Sequence, residues 1–301
     1  MRPIVFHLPG DDAFAARLTA ALGAETAAVA LHHFPDGESL VRLEADVRGR
    51  PVILSCGLAQ PDARTLPLLF AADAARDLGA TRVGLAAPYL AYMRQDHRFR
   101  PGEAITSRTY ARLLSSTFDT LVTVDPHLHR YRSLDEIYSL RSTVVRAAPL
   151  IARWVLENTE RPLLIGPDSE SEQWVSEVAA GAGAPFIVLR KIRRGDRDVE
   201  VSLPDAGAWR DRQPVLVDDI ISSARTMIEA VGSIRRAGLA APVCIGVHAL
   251  FAPGAYDELQ ACGVARVVTC DTIAHPSNGI GVAEPMAQAL AQWLERESTA
   301  G

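Results

Sequence analysis

Two adjacent aspartates, Asp218 and Asp219, close an apolar run in the stretch "VLVDDIISSARTM" (residues 215–227). A carboxylate at the end of a buried strand is costly to desolvate unless its charge is used. Small hydroxyl residues follow and open a predicted helix, whose free N–H groups suit a phosphate. Ligands of open α/β sheets bind beyond the carboxyl ends of the strands. The stretch therefore predicts a sugar-phosphate site, and the alternative is a solvated turn that caps the helix.

A second group of polar side chains could hold a polyphosphate. Arg94, Gln95 and Arg98 follow a predicted strand in "PYLAYMRQDHRF", and guanidinium groups suit phosphate oxygens. For any one of these residues alone, a solvated basic loop is the default interpretation. Two common nucleotide-binding fingerprints are excluded, because the sequence contains neither G-x-x-x-x-G-K-[ST] nor G-x-G-x-x-G after a strand.

The chain contains a single lysine, Lys191 in "LRKIRRG", among its 31 lysine and arginine residues. A compact ammonium on a flexible stem is not imitated by a guanidinium. A sequence that uses arginine almost everywhere therefore favours a specific role for this lysine. The alternative is a surface lysine without one.

Two further motifs are ambiguous from the residues alone. In "HFPDGES" (residues 33–39), Phe34 could stack on a base while Asp36 and Glu38 accept hydrogen bonds from an amine, but turn chemistry by itself favours a plain P-D-G turn. His127 follows a strand in a D-x-H pattern. A histidine at a strand end is more often structural than a ligand.

Apolar, β-branched runs alternate with amphipathic stretches along the chain, which indicates mostly parallel α/β sheets covered by helices. A weak internal repeat relates residues 63–90 to residues 224–250. The repeat and the strand count predict two similar domains, 1–145 and 146–301, with the last helix, 283–296, expected to pack on the N-terminal domain. The predicted strands are 3–8, 27–33, 51–56, 82–87, 119–124, 162–166, 185–190, 214–218, 242–249 and 264–270. The predicted helices are 11–22, 64–78, 106–116, 144–157, 170–182, 224–237 and 283–296.

Composition narrows the function classes. Hydrophobic residues make up 48% and charged residues 22% of the 301 residues, typical of a globular protein with a sizeable core. A net charge of −5 argues against nonspecific nucleic-acid binding. No signal peptide and no membrane span are predicted. The four cysteines show no C-x-x-C spacing, so neither a zinc site nor a disulfide is expected. The expected location is the reducing cytoplasm.

Several stretches resemble the ribose-phosphate diphosphokinase family, also called phosphoribosyl diphosphate (PRPP) synthetase. The 215–226 stretch resembles the PRPP loop of type I phosphoribosyltransferases, and the stretches "GPDSESEQW" and "LRKIRRG" occupy the expected places before it. The resemblance covers nearly the whole chain in order and is closer to the short, archaeal-like branch. It implies two type I phosphoribosyltransferase-like domains with mostly parallel sheets. The other matching stretches are "HFPDGES" (33–39), "PYLAYMRQDHRFRPGEAITSR" (88–108), "VDPHLH" (124–129) and "DTIAHPSN" (271–278).

The resemblance implies an enzyme that transfers the diphosphoryl group of MgATP to the C1 hydroxyl of ribose 5-phosphate, giving PRPP and AMP for nucleotide biosynthesis. The N-terminal domain would bind ATP and the C-terminal domain ribose 5-phosphate, with Mg²⁺ as cofactor. The neighbouring subunit contributes the adenine contacts in this family. The implied assembly is therefore a homo-oligomer with a dimer as the minimal unit.

The resemblance also assigns roles to individual residues. Lys191 and Arg193 are the implied catalytic residues, and His127 and Asp168 are the implied metal contacts. The implied ATP-binding residues are Phe34, Asp36, Glu38, Arg94, Gln95, Arg98 and His127. The implied ribose 5-phosphate-binding residues are Asp218, Asp219, Ser222, Ser223, Ala224, Arg225 and Thr226.

Arg225 departs from the family pattern, where the loop has a glycine at this position. The substitution puts in doubt any positive φ there, or it adds a cation near the 5-phosphate. Two other functions stay open at this point. One is a phosphoribosyltransferase that consumes PRPP, and the other is a non-catalytic regulatory protein that binds PRPP or nucleotides.

Overall fold

A computed structural model describes residues 2–193, 199–202 and 206–298, without the side chains at 170, 190–193, 199–202, 206, 297 and 298. The chain divides into two compact units. Unit 1 comprises Met1–Val145 together with Val282–Gly301, and unit 2 comprises Arg146–Gly281. Within the described residues, no helix is both long and apolar enough to cross a membrane.

Unit 1 is built on a seven-stranded sheet with the strand order β3-β2-β1-β4-β5-β6-β7. All neighbouring strands are parallel except β2 and β3, which form an antiparallel hairpin. The central strands are buried along their whole length, because helices cover the sheet. The strands are β1 (Ile4–His7), β2 (Glu25–His33), β3 (Ser39–Leu43), β4 (Pro51–Ser55), β5 (Arg82–Ala87), β6 (Thr120–Val124) and β7 (Arg141–Val145).

The helices of unit 1 are α1 (Asp12–Leu22), α2 (Pro61–Asp77), α3 (Thr106–Thr117) and the last helix of the chain, α8 (Ala283–Ser298). Helix α8 packs against α1 and β6. Its Trp293 is only 3% exposed and lies beside Gly84, where a Cβ atom would come within 3.0 Å of the indole ring. Arg82 lies over the same ring and donates a hydrogen bond to the carbonyl of Leu294 at 2.8 Å. The C-terminal helix is therefore part of the core of unit 1.

Unit 2 contains a six-stranded parallel sheet with the order β15-β14-β13-β12-β8-β9, and a separate antiparallel ribbon of β10 and β11. The hydrophobic core of unit 2 includes the apolar residues of β12 and the buried face of α6. The strands are β8 (Pro162–Gly166), β9 (Phe186–Val188), β10 (Arg190–Arg193), β11 (Val199–Ser202), β12 (Gln213–Ile221), β13 (Val243–Ala249), β14 (Arg266–Cys270) and β15 (Asn278–Ile280). The helices are α4 (Ala148–Asn158), α5 (Glu172–Gly181), α6 (Arg225–Arg236) and α7 (Ala255–Ala261).

The two sheets share one topology, so the prediction of two similar α/β folds is confirmed. The order β2-β1-β4-β5-β6-β7 in unit 1 corresponds to β9-β8-β12-β13-β14-β15 in unit 2. Helix α2 joins β4 to β5 as α6 joins β12 to β13. The internal repeat falls on these matching helix–strand pairs.

Every predicted strand and helix overlaps an observed one, but several boundaries and elements differ. Strand β12 continues to Ile221, beyond the predicted end at residue 218, because its last residues pair with the long strand β13. Helix α4 begins at Ala148 instead of residue 144, since Val144 and Val145 pair with β6. The sequence analysis missed short edge strands, the ribbon and one short helix: β3, β7, β10, β11, β15 and α7.

Candidate functional site

The two aspartates of unit 2 lie in the part of β12 that extends beyond its neighbour β8. Strand β8 pairs with β12 only as far as Leu216, whereas β13 remains paired with it to Ile221. Asp218 and Asp219 therefore lie within the strand, whereas the prediction placed them at its carboxyl end, and on the β8 side the strand is no longer paired at these residues. The loop after β8, which carries Asp168, follows on the open side.

Three carboxylates gather at this open edge. Burial raises the pKa of Asp218 well above its usual range, and the nearby charges of Asp219 and Asp168 raise it further. The backbone N–H of Asp219 donates to Oδ1 of Asp218 at 3.0 Å. Asp168 is held by Ser171, whose hydroxyl donates to the Asp168 carbonyl at 2.6 Å. Grouped carboxylates of this kind can accept hydrogen bonds from a diol or bind a cation.

The turn after β12 leads directly into α6, and its left-handed residue is Ala224, with φ 57°. Arg225 is the first helical residue and is exposed. The doubt about Arg225 is therefore resolved, because its position does not need a positive φ. The N–H groups of the first helical turn have no partners within a helix. No acidic residue lies in the first turn of α6, so this end suits an anion.

Gly246 on β13 allows the side chain of Ile221, the last residue of β12, to lie close to the backbone of β13. A Cβ atom at this glycine would lie 2.7 Å from Cγ1 and Cδ1 of Ile221. That separation is closer than packed carbon atoms approach. The glycine therefore fixes the position of Ile221, which precedes the hydroxyl-rich turn.

In unit 1, the segment after β5 carries the predicted polyphosphate residues. Leu90, Ala91 and Met93 are buried and anchor the segment, while Arg94 and Arg98 are exposed. Gln95 is half-buried and donates to the carbonyl of His97 at 3.2 Å. The structure thus presents two guanidinium groups from one anchored loop.

His127 follows β6, the strand next to β5, so it lies at the same edge of the sheet as Arg94. Asp125, two residues earlier, is buried and has a φ of 28°, which is strained for a residue with a side chain. The rings of His127 and His129 are 5.6 Å apart. The segment after β6 reaches the loop that carries Arg94, since Arg130 donates to the Asp96 carboxylate at 3.0 Å.

Phe34, Asp36 and Glu38 form the exposed tip of the β2–β3 hairpin. The Asp36 carboxylate accepts the Glu38 N–H at 3.1 Å, and Phe34 is 41% exposed. In the strand order, β1 and β4 separate β2 from β5. At roughly 4.8 Å per strand, the tip is displaced sideways by about 14 Å from the Arg94 loop. The unit does not bring these two predicted parts of one ATP site together.

The backbones of Lys191 and Arg193 lie on β10, paired with Val201 and Val199 of β11. The predicted strand ended at residue 190, before both residues, whereas the structure places them in β10. Their side chains lie outside the described residues.

The switch point of unit 1, between β1 and β4, corresponds by topology to the Asp218 edge of unit 2. At this switch point the protein provides both a negative charge, on Asp11, and a positive charge, on Arg64. Arg64 forms an ion pair with Asp11, whose carboxylate also accepts the Gly57 N–H at 3.2 Å. Among the residues that the structure describes at this edge, the pairing leaves no cluster of like charges comparable to the three carboxylates of unit 2.

Sequence reasoning gave no role to Asp96, Glu103 or Arg130, which hold the Arg94 loop by hydrogen bonds. Asp96 lies inside the quoted motif "MRQDHRF", but its residue type and spacing do not mark it. Its role becomes visible only in the structure, where its side chain is buried. Within the described part of the chain, no group of three or more His, Cys, Asp and Glu side chains has a geometry that would hold a metal ion.

Two family profiles match successive parts of the chain. A family profile described as the N-terminal domain of ribose phosphate pyrophosphokinase matches residues 4–117. A profile described as the phosphoribosyl transferase domain matches residues 133–288.

Relatives named ribose-phosphate pyrophosphokinase match along most of the chain. The protein from Methanopyrus kandleri is 34% identical over 276 residues, which cover 91% of this chain and 94% of that protein. The protein from Halobacterium salinarum is 32% identical over 282 residues, which cover 93% and 98%. The crystal structure of phosphoribosylpyrophosphate synthetase from Mycobacterium smegmatis matches with a TM-score of 0.86 and 23% identity, covering 98% of this chain and all of that one. That structure supports the fold.

Proposed function

The chain belongs to the ribose-phosphate pyrophosphokinase family, and from this we propose that it makes PRPP by transferring the diphosphoryl group of MgATP to ribose 5-phosphate. Unit 2 binds the sugar phosphate and unit 1 binds ATP. The observation that carries this division is the different chemistry at the carboxyl ends of the strands in the two sheets. The edge of unit 2 offers carboxylates and a helix start, whereas the edge of unit 1 offers exposed guanidinium groups.

On the sugar side, Asp218 and Asp219 accept hydrogen bonds from the ribose hydroxyls. The 5-phosphate lies at the start of α6, held by the N–H groups and hydroxyls of the turn from Ser222 to Thr226. A cation in the first turn of a helix is unfavourable by itself. The exposed Arg225 therefore gains a favourable partner when a phosphate dianion binds there. Ser223 and Ala224 complete this turn.

On the nucleotide side, Arg94, Gln95 and Arg98 bind the polyphosphate together with His127. Phe34 stacks on adenine, and Asp36 and Glu38 accept from its amino group. Because the hairpin tip is displaced from the Arg94 loop, we propose that these three residues come from a second copy of the chain. The functional assembly is then a homo-oligomer whose minimal unit is a dimer.

The donors present suit Mg²⁺ bound largely by substrate. Burial raises the pKa of Asp218, and the nearby charges of Asp219 and Asp168 raise it further; a divalent ion would offset the repulsion among these carboxylates. Mg²⁺ is usually held by one or two carboxylates and substrate phosphates, not by a protein cage, which agrees with the lack of a three-residue cluster in the described residues. Asp168 would contribute to metal binding in unit 2, and His127 would contribute in unit 1. Bound Mg²⁺ would neutralise charge on the ATP phosphates.

The transfer forms a bond between the C1 oxygen of ribose 5-phosphate and the β-phosphorus of ATP, and the C1 hydroxyl gives up its proton to the solvent. The bond from that phosphorus to the bridging oxygen of the α-phosphate breaks, so AMP leaves. Such reactions depend mainly on positioning and on stabilising negative charge. Lys191 and Arg193 supply that charge stabilisation at the moving diphosphoryl group.

One assay tests the proposal, namely release of AMP from ATP that depends on both ribose 5-phosphate and Mg²⁺. A phosphoribosyltransferase would instead consume PRPP in the presence of a base and release diphosphate. A regulatory protein would bind the ligands without turnover. AMP release without ribose 5-phosphate, or no release at all, would exclude the proposed reaction.

A further inference from the structure

The loop between β5 and α3 is closed by a carboxylate that points into the loop itself. Oε2 of Glu103 accepts the backbone N–H of Phe99 at 2.8 Å and that of Arg100 at 3.0 Å. The same oxygen accepts from the side chain of Gln95 at 3.3 Å. The Arg98 guanidinium donates to the Glu103 carbonyl at 2.9 Å. Glu103 therefore bonds to four residues between positions 95 and 100, and two of these, Gln95 and Arg98, are proposed polyphosphate residues.

A second carboxylate fastens this loop to the segment after β6. The side chain of Asp96 is only 2% exposed, and it accepts from Nη1 of Arg130 at 3.0 and 3.3 Å and from His97 at 2.8 Å. The Tyr131 hydroxyl donates to the Asp96 carbonyl at 3.2 Å. Burial by itself would raise the pKa of Asp96, but His97 and Arg130 hold it below its usual range. The carboxylate is therefore ionised and bound within the protein.

These bonds oppose the forces that would open the loop. Arg94, Arg98 and Arg100 are exposed within seven residues of chain, and like charges at this spacing repel one another. A loop that is free to move would lose conformational entropy when ATP orders it. A loop that is already held does not incur that loss again on binding.

We propose that Glu103 and Arg130 are positioning residues for ATP, Glu103 by shaping the Arg94 loop and Arg130 by holding it through Asp96. Neither side chain needs to touch the nucleotide. The inference rests on the proposed function, because it assumes that ATP binds at this loop. Arg130 is half-exposed and is the better residue to change, since the buried Asp96 could affect folding.

The primary test is Arg130→Gln, assayed for ATP binding by calorimetry and for steady-state kinetics. We expect the Kd and KM for ATP to rise about tenfold, as for loss of a charge-assisted hydrogen bond. The KM for ribose 5-phosphate should stay within twofold of the wild-type value. Arg130→Lys keeps the charge, but its shorter side chain does not bring its nitrogen to the position of Nη1, so it should recover only part of the loss.

Arg132→Gln is the matched control. Arg132 is an exposed arginine two residues further along, and its guanidinium takes part in none of these hydrogen bonds. If Arg130 acted only by attracting ATP through its charge, both variants would weaken binding equally and the effect would fade at high salt. If Arg130 positions the loop, its effect should persist at high salt and exceed that of Arg132→Gln.

Glu103→Gln provides the second variant, because an amide oxygen accepts the two backbone N–H groups more weakly than a carboxylate. We expect weaker ATP binding with little change in melting temperature. Wild-type-like ATP affinity in both Arg130→Gln and Glu103→Gln would overturn the inference. A wild-type protein that does not bind ATP would instead overturn the assignment of unit 1 to ATP, so the two failures are distinguishable.

Discussion

Asp218 and Asp219 show how a buried strand can carry two carboxylates. Their strand is paired by β13 on one side, while β8 has already ended on the other. The two carboxylates lie at this unpaired edge of the sheet. A diol or a cation bound there can replace the hydration that the carboxylates lose on burial. Their proposed role makes a simple prediction at the residue scale.

Asp219→Asn should weaken ribose 5-phosphate binding by about tenfold or more, because it removes a charged acceptor from the ribose hydroxyls. ATP affinity should change much less, since unit 1 is untouched. Calorimetric titration of each ligand measures both effects. Equal loss for the two ligands, or none, would contradict the assignment of this carboxylate to the sugar.

Lys191→Ala should lower kcat by about 10²–10³-fold, the usual effect of removing one preorganised donor to developing charge. Apparent affinity for ribose 5-phosphate should change little, since the contact forms mainly in the transition state. Lys191→Arg is the sharper variant, because arginine is the cation that this chain prefers. Full activity with arginine at position 191 would return Lys191 to the status of a surface charge.

Asp11 predicts a pH dependence of stability. Burial raises its pKa to about 6, although Arg64 and the Gly57 N–H favour the charged form. The folded chain thus binds this proton more tightly than the unfolded chain, whose aspartate pKa is about 3.9. The stabilising contribution of Asp11 is complete below the unfolded value and is lost as the pH rises through 6.

Asp11→Asn removes this titration. Relative to the variant, the wild type should lose up to about 3 kcal/mol of stability between pH 4 and pH 7.5, measured by urea unfolding at both values. Asp73→Asn is the control, because Asp73 is exposed on α2 and does not contribute to the pKa shift of Asp11. A constant difference between the wild type and Asp11→Asn across this range would show that Asp11 does not titrate near 6.

At the scale of elements, the ribose-phosphate turn depends on close contact between two strands. β12 places Ile221 over Gly246 of β13, and the turn begins at the next residue. The same contact leaves no room for a larger residue at position 246.

Gly246→Ala should therefore push Ile221 aside and weaken ribose 5-phosphate binding by about tenfold, since overpacking typically costs 1–3 kcal/mol. Adding Ile221→Val removes Cδ1, one of the two atoms nearest to the new Cβ atom, and should restore part of the affinity. ATP binding serves as the internal control. An alanine variant that binds ribose 5-phosphate normally would show that the strand contact does not set the turn.

At the scale of the molecule, the chain returns to its first unit after completing the second. Residues from Val282 onward belong to unit 1, and Trp293 of α8 packs under Arg82 and beside Gly84. Folding of unit 1 therefore requires residues from the end of the chain.

Trp293→Ala should destabilise unit 1 by about 3–5 kcal/mol, as expected for truncating a buried aromatic side chain. Hydrogen exchange should accelerate in β5 and β6 while β12 and β13 keep their protection. Leu156→Ala is a suitable control, because that leucine of unit 2 is 59% exposed. Loss of protection in both units alike would contradict the division of the core.

The sequence by itself determined the fold class, the long buried strands and the helices, because periodic burial of apolar residues is written locally along the chain. It also placed Asp218, Asp219, Arg94, Gln95 and Arg98 next to strand ends. Short edge strands such as β3 and β15 were missed, since their pairing comes from a neighbour and not from their own composition.

Only the tertiary structure decided how these residues are held. Ala224, not Arg225, takes the left-handed conformation, because the length of β12 sets where α6 begins. The bonds of Asp96 to Arg130 join segments that lie 34 residues apart, and the displacement of Phe34 follows from strand order. Contacts between distant segments depend on how the elements pack, and a local pattern of residue types does not encode that packing.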